Sequence, residues 1–200
     1  MRNEVAGTPI SVRNYLRLST APLHARVDAF MSRCLDQGSE GYAQFLALSA
    51  AAVLPLESAL SDANVRMIVP DWPRRSRAAA LRADLAELDV PVPEARIVPK
   101  ITEEAFLFGI LYVLEGSRLG ARVMLESIQV SSSDAARSAT RYLSHGRDQR
   151  LWQTFLPQME ASSATHDRPD VAASGAHAAF QLFLPPESPA GLTEIGDRLG

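Results

Sequence analysis

Two hundred residues of 21.7 kDa, 46% apolar and 22% charged, describe one ordinary globular domain and exclude a disordered or collagen-like chain. The formal charge of −3 argues against a nucleic-acid partner, and the single cysteine, Cys34, excludes an intrachain disulfide and any cysteine-held zinc or iron–sulfur cluster. Thirty alanines and 24 leucines against 11 glycines set a helical prior.

Met1 to Ile10 is polar and reads as a loose arm. From Ser11, apolar residues (Leu16, Leu23, Val27, Phe30, Met31) recur at steps of three and four, the spacing of an amphipathic helix. Pro22 lacks an amide donor, so this helix either restarts with Thr20 as its cap or kinks. A second helix is predicted over Ser39 to Leu60, capped at Ser39 and bent or broken at Pro55. Its uncharged run, Gly41 to Leu56, has 16 residues, short of the about 20 that span a membrane. No apolar export core opens the chain, so a cytoplasmic protein without a membrane partner is expected.

Arg74 to Leu88 reads as a third helix, and Val90 to Pro99, with three prolines, as a connector. A long apolar helix follows from Thr102 to about Ile128, with Glu103 and Glu104 suited to the positive end of its dipole. Shorter helices are predicted over Ser133 to Leu143, Arg147 to Ala161 and Pro169 to Leu184. No alternating strand pattern occurs. The expected fold is all-α: a single-domain bundle of about seven helices over residues 11–184, with an arm at 1–10 and a Pro/Gly-rich tail at 185–200.

Two stretches carry chemistry. On a helix, Arg17, Thr20, His24, Asp28 and Met31 share a stripe, and Arg17 lies seven residues, about 10 Å, before His24. An imidazole with a cation at that distance fits a planar ligand that has a metal centre and an anionic edge. Asp28, one turn on, would orient the imidazole. Equally, a lone helical histidine is often a plain core or surface residue. A phosphorelay histidine would want basic neighbours that Ala25, Val27 and Asp28 do not supply.

The second stretch is Tyr112-Val-Leu-Glu-Gly-Ser-Arg-Leu-Gly-Ala-Arg-Val. Gly116 and Gly120 sit one turn apart in an otherwise apolar helix, each costing about 1 kcal/mol relative to alanine. Either another helix packs very closely on that face or a ligand approaches the backbone.

Together these stretches resemble the biliverdin-producing heme oxygenases, in particular the bacterial ones that serve bacteriophytochromes. The proximal pattern runs from Leu16-Arg17 through Thr20 to His24 and Asp28, and the distal pattern from Tyr112 to Gly120 without a gap. Gly41-Tyr42-x-x-Phe45-Leu46, Pro70-Asp71-Trp72-Pro73, Tyr142 to Gly146 and Gly175-Ala176-x-Ala178-x-Phe180 support it in order along the chain. The resemblance implies heme b, sandwiched between a proximal and a distal helix, as both cofactor and substrate. His24 would hold the iron, Arg17 and Tyr112 would meet a propionate edge, and Thr20, Asp28, Ala121, His177 and Phe180 would border the heme. Gly116, Ser117 and Gly120 would form a distal wall of backbone beside dioxygen. Ser117 stands where mammalian relatives carry an acid, which implies that water relays protons.

The implied reaction opens the porphyrin to biliverdin, releasing carbon monoxide and iron. Its electrons would come from a ferredoxin- or flavodoxin-type donor, and a bacteriophytochrome would take the product. Arg118 and Arg122 are expected in solvent or propionate-side salt bridges, and His145 and His166 in loops. Three rivals stand beside this reading: a heme-transfer protein on the same scaffold, a thiaminase-like hydrolase using Cys34, and a helical interaction module.

Overall fold

The protein is described by a computed structural model over residues 11–131 and 133–185. Most of the expected arm and tail, residues 1–10 and 186–200, lies outside the described residues. Among those described there are ten α-helices, one 3-10 turn at Val65–Met67, and no strand. The helices are α1 (Val12–Leu35), α2 (Gly38–Asp62), α3 (Trp72–Arg75), α4 (Ala78–Glu87), α5 (Glu104–Ser131), α6 (Asp134–Ser138), α7 (Arg141–Ser144), α8 (Leu151–Ala161), α9 (Ser163–Asp167) and α10 (Pro169–Leu182).

Helix α1 begins where Ser11 Oγ accepts from the Asn14 amide, and its next free amides, Val12 and Arg13, donate to the Glu160 carboxylate of α8. It then runs unbroken through Pro22. Thr20 does not restart it, because its hydroxyl donates back to the Leu16 carbonyl at 2.8 Å within the helix. In α2 the expected cap Ser39 lies inside the helix, one residue after Gly38, and bonds instead to Ser133 Oγ at 2.9 Å. Pro55 does not end α2 either. At 25 residues α2 is long and apolar enough to cross a membrane, yet over half of its most apolar stretch is buried within the bundle.

Two predicted helices each split in two. Between α3 and α4, the Glu57 carboxylate of α2 accepts from the amides of Arg77 and Ala78 and from Ser76 Oγ, capping a new helix start. Between α6 and α7, the buried Asp84 carboxylate of α4 accepts from the amides of Arg141 and Tyr142 at 3.0 and 2.7 Å. Each cap is worth about 1 kcal/mol, and each is supplied by a residue remote in sequence. Ser133, where a helix is predicted to begin, caps α6 by accepting from the Ala136 amide, and Val90 to Pro99 forms the expected connector.

Helices α5 and α10 form the most extensive pair. Gly109 and Gly175 make their approach possible. A Cβ on Gly109 would stand 1.9 Å from the Ala172 carbonyl oxygen, and one on Gly175 2.1 Å from that of Phe106. Helix α1 packs on α10 and α2, so α1 and α5 flank α10 and leave a slot between them.

Candidate functional site

That slot is a cavity of about 480 Å³. Its α1 wall carries Arg13, Arg17, His24, Val27, Asp28 and Met31, which recur every three or four residues on one helical face. Its α5 wall runs from Tyr112 through Gly116, Ser117, Gly120 and Ala121 to Met124. Phe180 and Phe183 close one end from α10, Phe45 and Ser49 belong to α2, and Tyr142, Leu143 and Trp152 complete the rim.

His24 and Asp28 are 60% and 63% exposed, and His24 Nε2 lies 3.4 Å from Asp28 Oδ2. The imidazole packs on Phe180, ring centroids 5.2 Å apart. Arg13, Arg17 and Tyr112 gather on the cavity wall. Burial pushes the Tyr112 phenol above its ordinary value, while the two guanidinium groups pull it down. Arg13 was not among the residues marked in the sequence, although it sits one helical turn before Arg17.

Gly116 and Gly120 answer the question of close packing directly. A Cβ on Gly116 would come no nearer than 3.7 Å to Trp152, and one on Gly120 would meet only Met124 Cε at 4.0 Å. No helix crosses at this pair, unlike Gly109 and Gly175. The bare backbone faces open cavity.

Ser117 Oγ donates to the Leu114 carbonyl and accepts from Arg77 Nη2 at 2.9 Å. Arg77 is 2% exposed, lines the cavity, and lies with its guanidinium carbon 4.8 Å from the Tyr142 ring centroid. The same Nη2 donates to the Leu114 carbonyl, whereas Nε and Nη1 meet no acceptor among the described residues. The sequence does not mark Arg77, because nothing local distinguishes it from Arg74 or Arg75.

A second polar cluster backs the α5 wall. Fully buried Glu115 accepts from Arg75 Nη1 at 2.9 Å and from Arg118 Nη2 at 3.0 Å. Arg75 also donates to Asp71, the Leu151 carbonyl and Thr154. Arg118 continues to the Arg75 carbonyl and lies 3.3 Å from His145 Nδ1. Burial and the neighbouring guanidinium groups of Arg118 and Arg77 hold His145 below the usual histidine range.

Of the residues marked in the sequence, Arg17, His24, Asp28, Tyr112, Gly116, Ser117, Gly120, Ala121 and Phe180 come together on the cavity. Thr20 and His177 do not. Thr20 is turned into the core, and His177 Nε2 is engaged with the Ser19 carbonyl at 2.8 Å, tying α10 to α1. Arg118 is a half-buried partner of Glu115 rather than a solvent or propionate-side group, while exposed Arg122 donates to the Arg147 carbonyl. Cys34 is buried, and desolvation pushes its thiol up, the wrong direction for a nucleophile.

A narrow apolar slot with cations on its wall, a histidine on one side and bare backbone opposite suits a flat anionic tetrapyrrole, which defines a helical heme protein. The sequence model described as heme oxygenase matches residues 11–185. The chain is 32% identical to the heme oxygenase of Xanthomonas campestris pv. campestris over 156 residues, covering 76% of this chain and 94% of that one. It is 30% identical to heme oxygenase PigA of Pseudomonas aeruginosa, covering 88% and 93%. Its fold matches the NO- and CO-bound heme oxygenase from Neisseria meningitidis with a TM-score of 0.72 at 23% identity, over 88% and 89% of the two chains. The chain belongs to the heme oxygenase family. It is an enzyme of heme degradation, acting on heme with dioxygen and a reductant.

Proposed function

We propose that the chain binds heme b between α1 and α5 with His24 on the iron, and converts it to biliverdin with release of carbon monoxide and iron. The observation that carries this reading is the Gly116–Gly120 backbone, open to the cavity with no other backbone closing on it, across from a histidine. Bound heme supplies the iron that activates dioxygen and the porphyrin that is opened.

The chain's own residues hold and orient. His24 would hold the iron through a ring nitrogen, and the Asp28 carboxylate, 3.4 Å from Nε2, would orient the ring. Arg13, Arg17 and Tyr112 would meet the propionates as donors, the two arginines with charge assistance. Phe180 and Phe183 exclude water from the His24 side. Across the slot from His24, Gly116 and Gly120 would leave open the space beside heme that a side chain would otherwise fill. The Nε and Nη1 of Arg77, beside Ser117, would hold a water through which protons arrive.

On this reading the working body is residues 11–184, the location is the cytoplasm, the donor is a ferredoxin or flavodoxin, and biliverdin passes to a bacteriophytochrome. The test is an absorbance time course: purified protein with hemin, then with ascorbate or a ferredoxin system. A sharp Soret band decaying into the broad red absorption of biliverdin is expected. A Soret band that persists through reduction in air overturns the proposed product.

A further inference from the structure

The connector between α4 and α5 crosses the end of α10, and one side chain ties the two together. Arg96 Nη1 donates to the carbonyl of Leu182, at 2.7 Å, and to that of Leu184. These oxygens flank Phe183 on both sides, at the end where a helix leaves its carbonyls unpaired. Helix α10 has no basic residue in its own last turn, so the cation favoured there comes from another segment. Arg96 is half-buried, and no carboxylate among the described residues pairs with it. Its guanidinium is therefore committed to α10. Pro91, Pro93 and Pro99 stiffen the connector that presents it.

Phe180 of α10 and Phe183, the residue that follows its end, both line the cavity, and Phe180 is the ring on which His24 packs. We propose that Arg96 is a positioning residue for the heme site: by clamping the carbonyls on either side of Phe183 it fixes the end of α10, and with it the aromatic wall beside His24. This rests on the slot being the heme site. A residue some distance from the ligand then controls how firmly one wall of the site is held.

The test uses Arg96→Ala and Arg96→Lys beside the wild type. In the heme-free protein, amide hydrogen exchange at Phe183 and Leu184 is expected to quicken about threefold to thirtyfold in Arg96→Ala, with exchange in α5 unchanged. Arg96→Lys, which keeps a cation and a donor, is expected to restore most of the protection. Hemin titration of Arg96→Ala should show affinity lower by about threefold to tenfold and an altered Soret band. Wild-type exchange at the end of α10, or faster exchange there with heme affinity and spectrum unchanged, overturns the proposal. So does a uniform rise in exchange across all helices. His24→Ala run in parallel separates the two readings, because an unaltered heme spectrum in that variant overturns the axial ligand alone.

Discussion

Arg77 Nη2 donates to Ser117 Oγ at 2.9 Å, joining the break between α3 and α4 to the middle of the glycine-bearing helix. The guanidinium lies over Tyr142 in the cavity lining, and its Nε and Nη1 meet no acceptor among the described residues. Arg77→Met removes the donors but keeps much of the bulk. Loss of the bonds to Ser117 and Leu114 should cost about 2 kcal/mol in urea unfolding. Turnover should fall at least about tenfold while heme affinity changes little, because the donors serve protons rather than binding. Unchanged single-turnover kinetics in this variant would remove Arg77 from the proton path.

His24→Ala should abolish turnover and change the ferric heme spectrum, since no other histidine lines the cavity. Asp28→Asn keeps the shape but weakens the partner of the imidazole. Its heme affinity or activity should fall about tenfold. Equal spectra and rates for Asp28→Asn and wild type would show that the carboxylate does not orient the ring.

The four helical glycines of α5 and α10 should divide into two classes on substitution by alanine. Gly120→Ala meets nothing nearer than 4.0 Å, so it should raise stability by about 0.5–1 kcal/mol through helix propensity. Its cost should appear in oxygen chemistry, as slower or misdirected ring opening. Gly109→Ala drives a methyl group against the Ala172 carbonyl oxygen and should destabilise by about 3 kcal/mol or more. Thermal melts of the two variants shifting in the same direction would contradict this assignment.

His145 gives stability an acid-side dependence. Burial and the guanidinium groups of Arg118 and Arg77 hold its folded pKa below the ordinary histidine value of about 6.5, so the unfolded chain takes up a proton first as pH falls. The contribution is complete above about pH 6.5 and is lost as pH drops through the folded value. Urea midpoints measured between pH 7.5 and 5 should therefore fall less in His145→Gln than in the wild type. Parallel pH curves would locate the acid sensitivity elsewhere.

Much of the site was legible because α1 and the middle of α5 are long, strongly patterned helices. Arg17, His24 and Asp28 share a face by spacing alone, and Gly116 and Gly120 announce themselves as costly residues in an apolar helix. Thr20 shares much the same stripe but lies toward the core side of it. His177 is a heme-side candidate only through the family resemblance, and its actual partner is a backbone carbonyl of α1. Neither distinction exists until a second helix takes its place alongside.

By itself the sequence determined the helical class, the helix start at Ser133, the proline connector and the two motifs that mark the family. Those features depend on residues within a turn or two of one another. The tertiary structure decided where two predicted helices break, because the carboxylates that cap the new starts, Glu57 and Asp84, arrive from other helices. It also decided that Arg77 rather than His177 faces the slot, and that the glycines at 109 and 175 serve packing while those at 116 and 120 serve the cavity. The physical reason is the same in each case. A cap, a buried charge and a close approach are set by the group opposite, and only the folded chain determines which group that is.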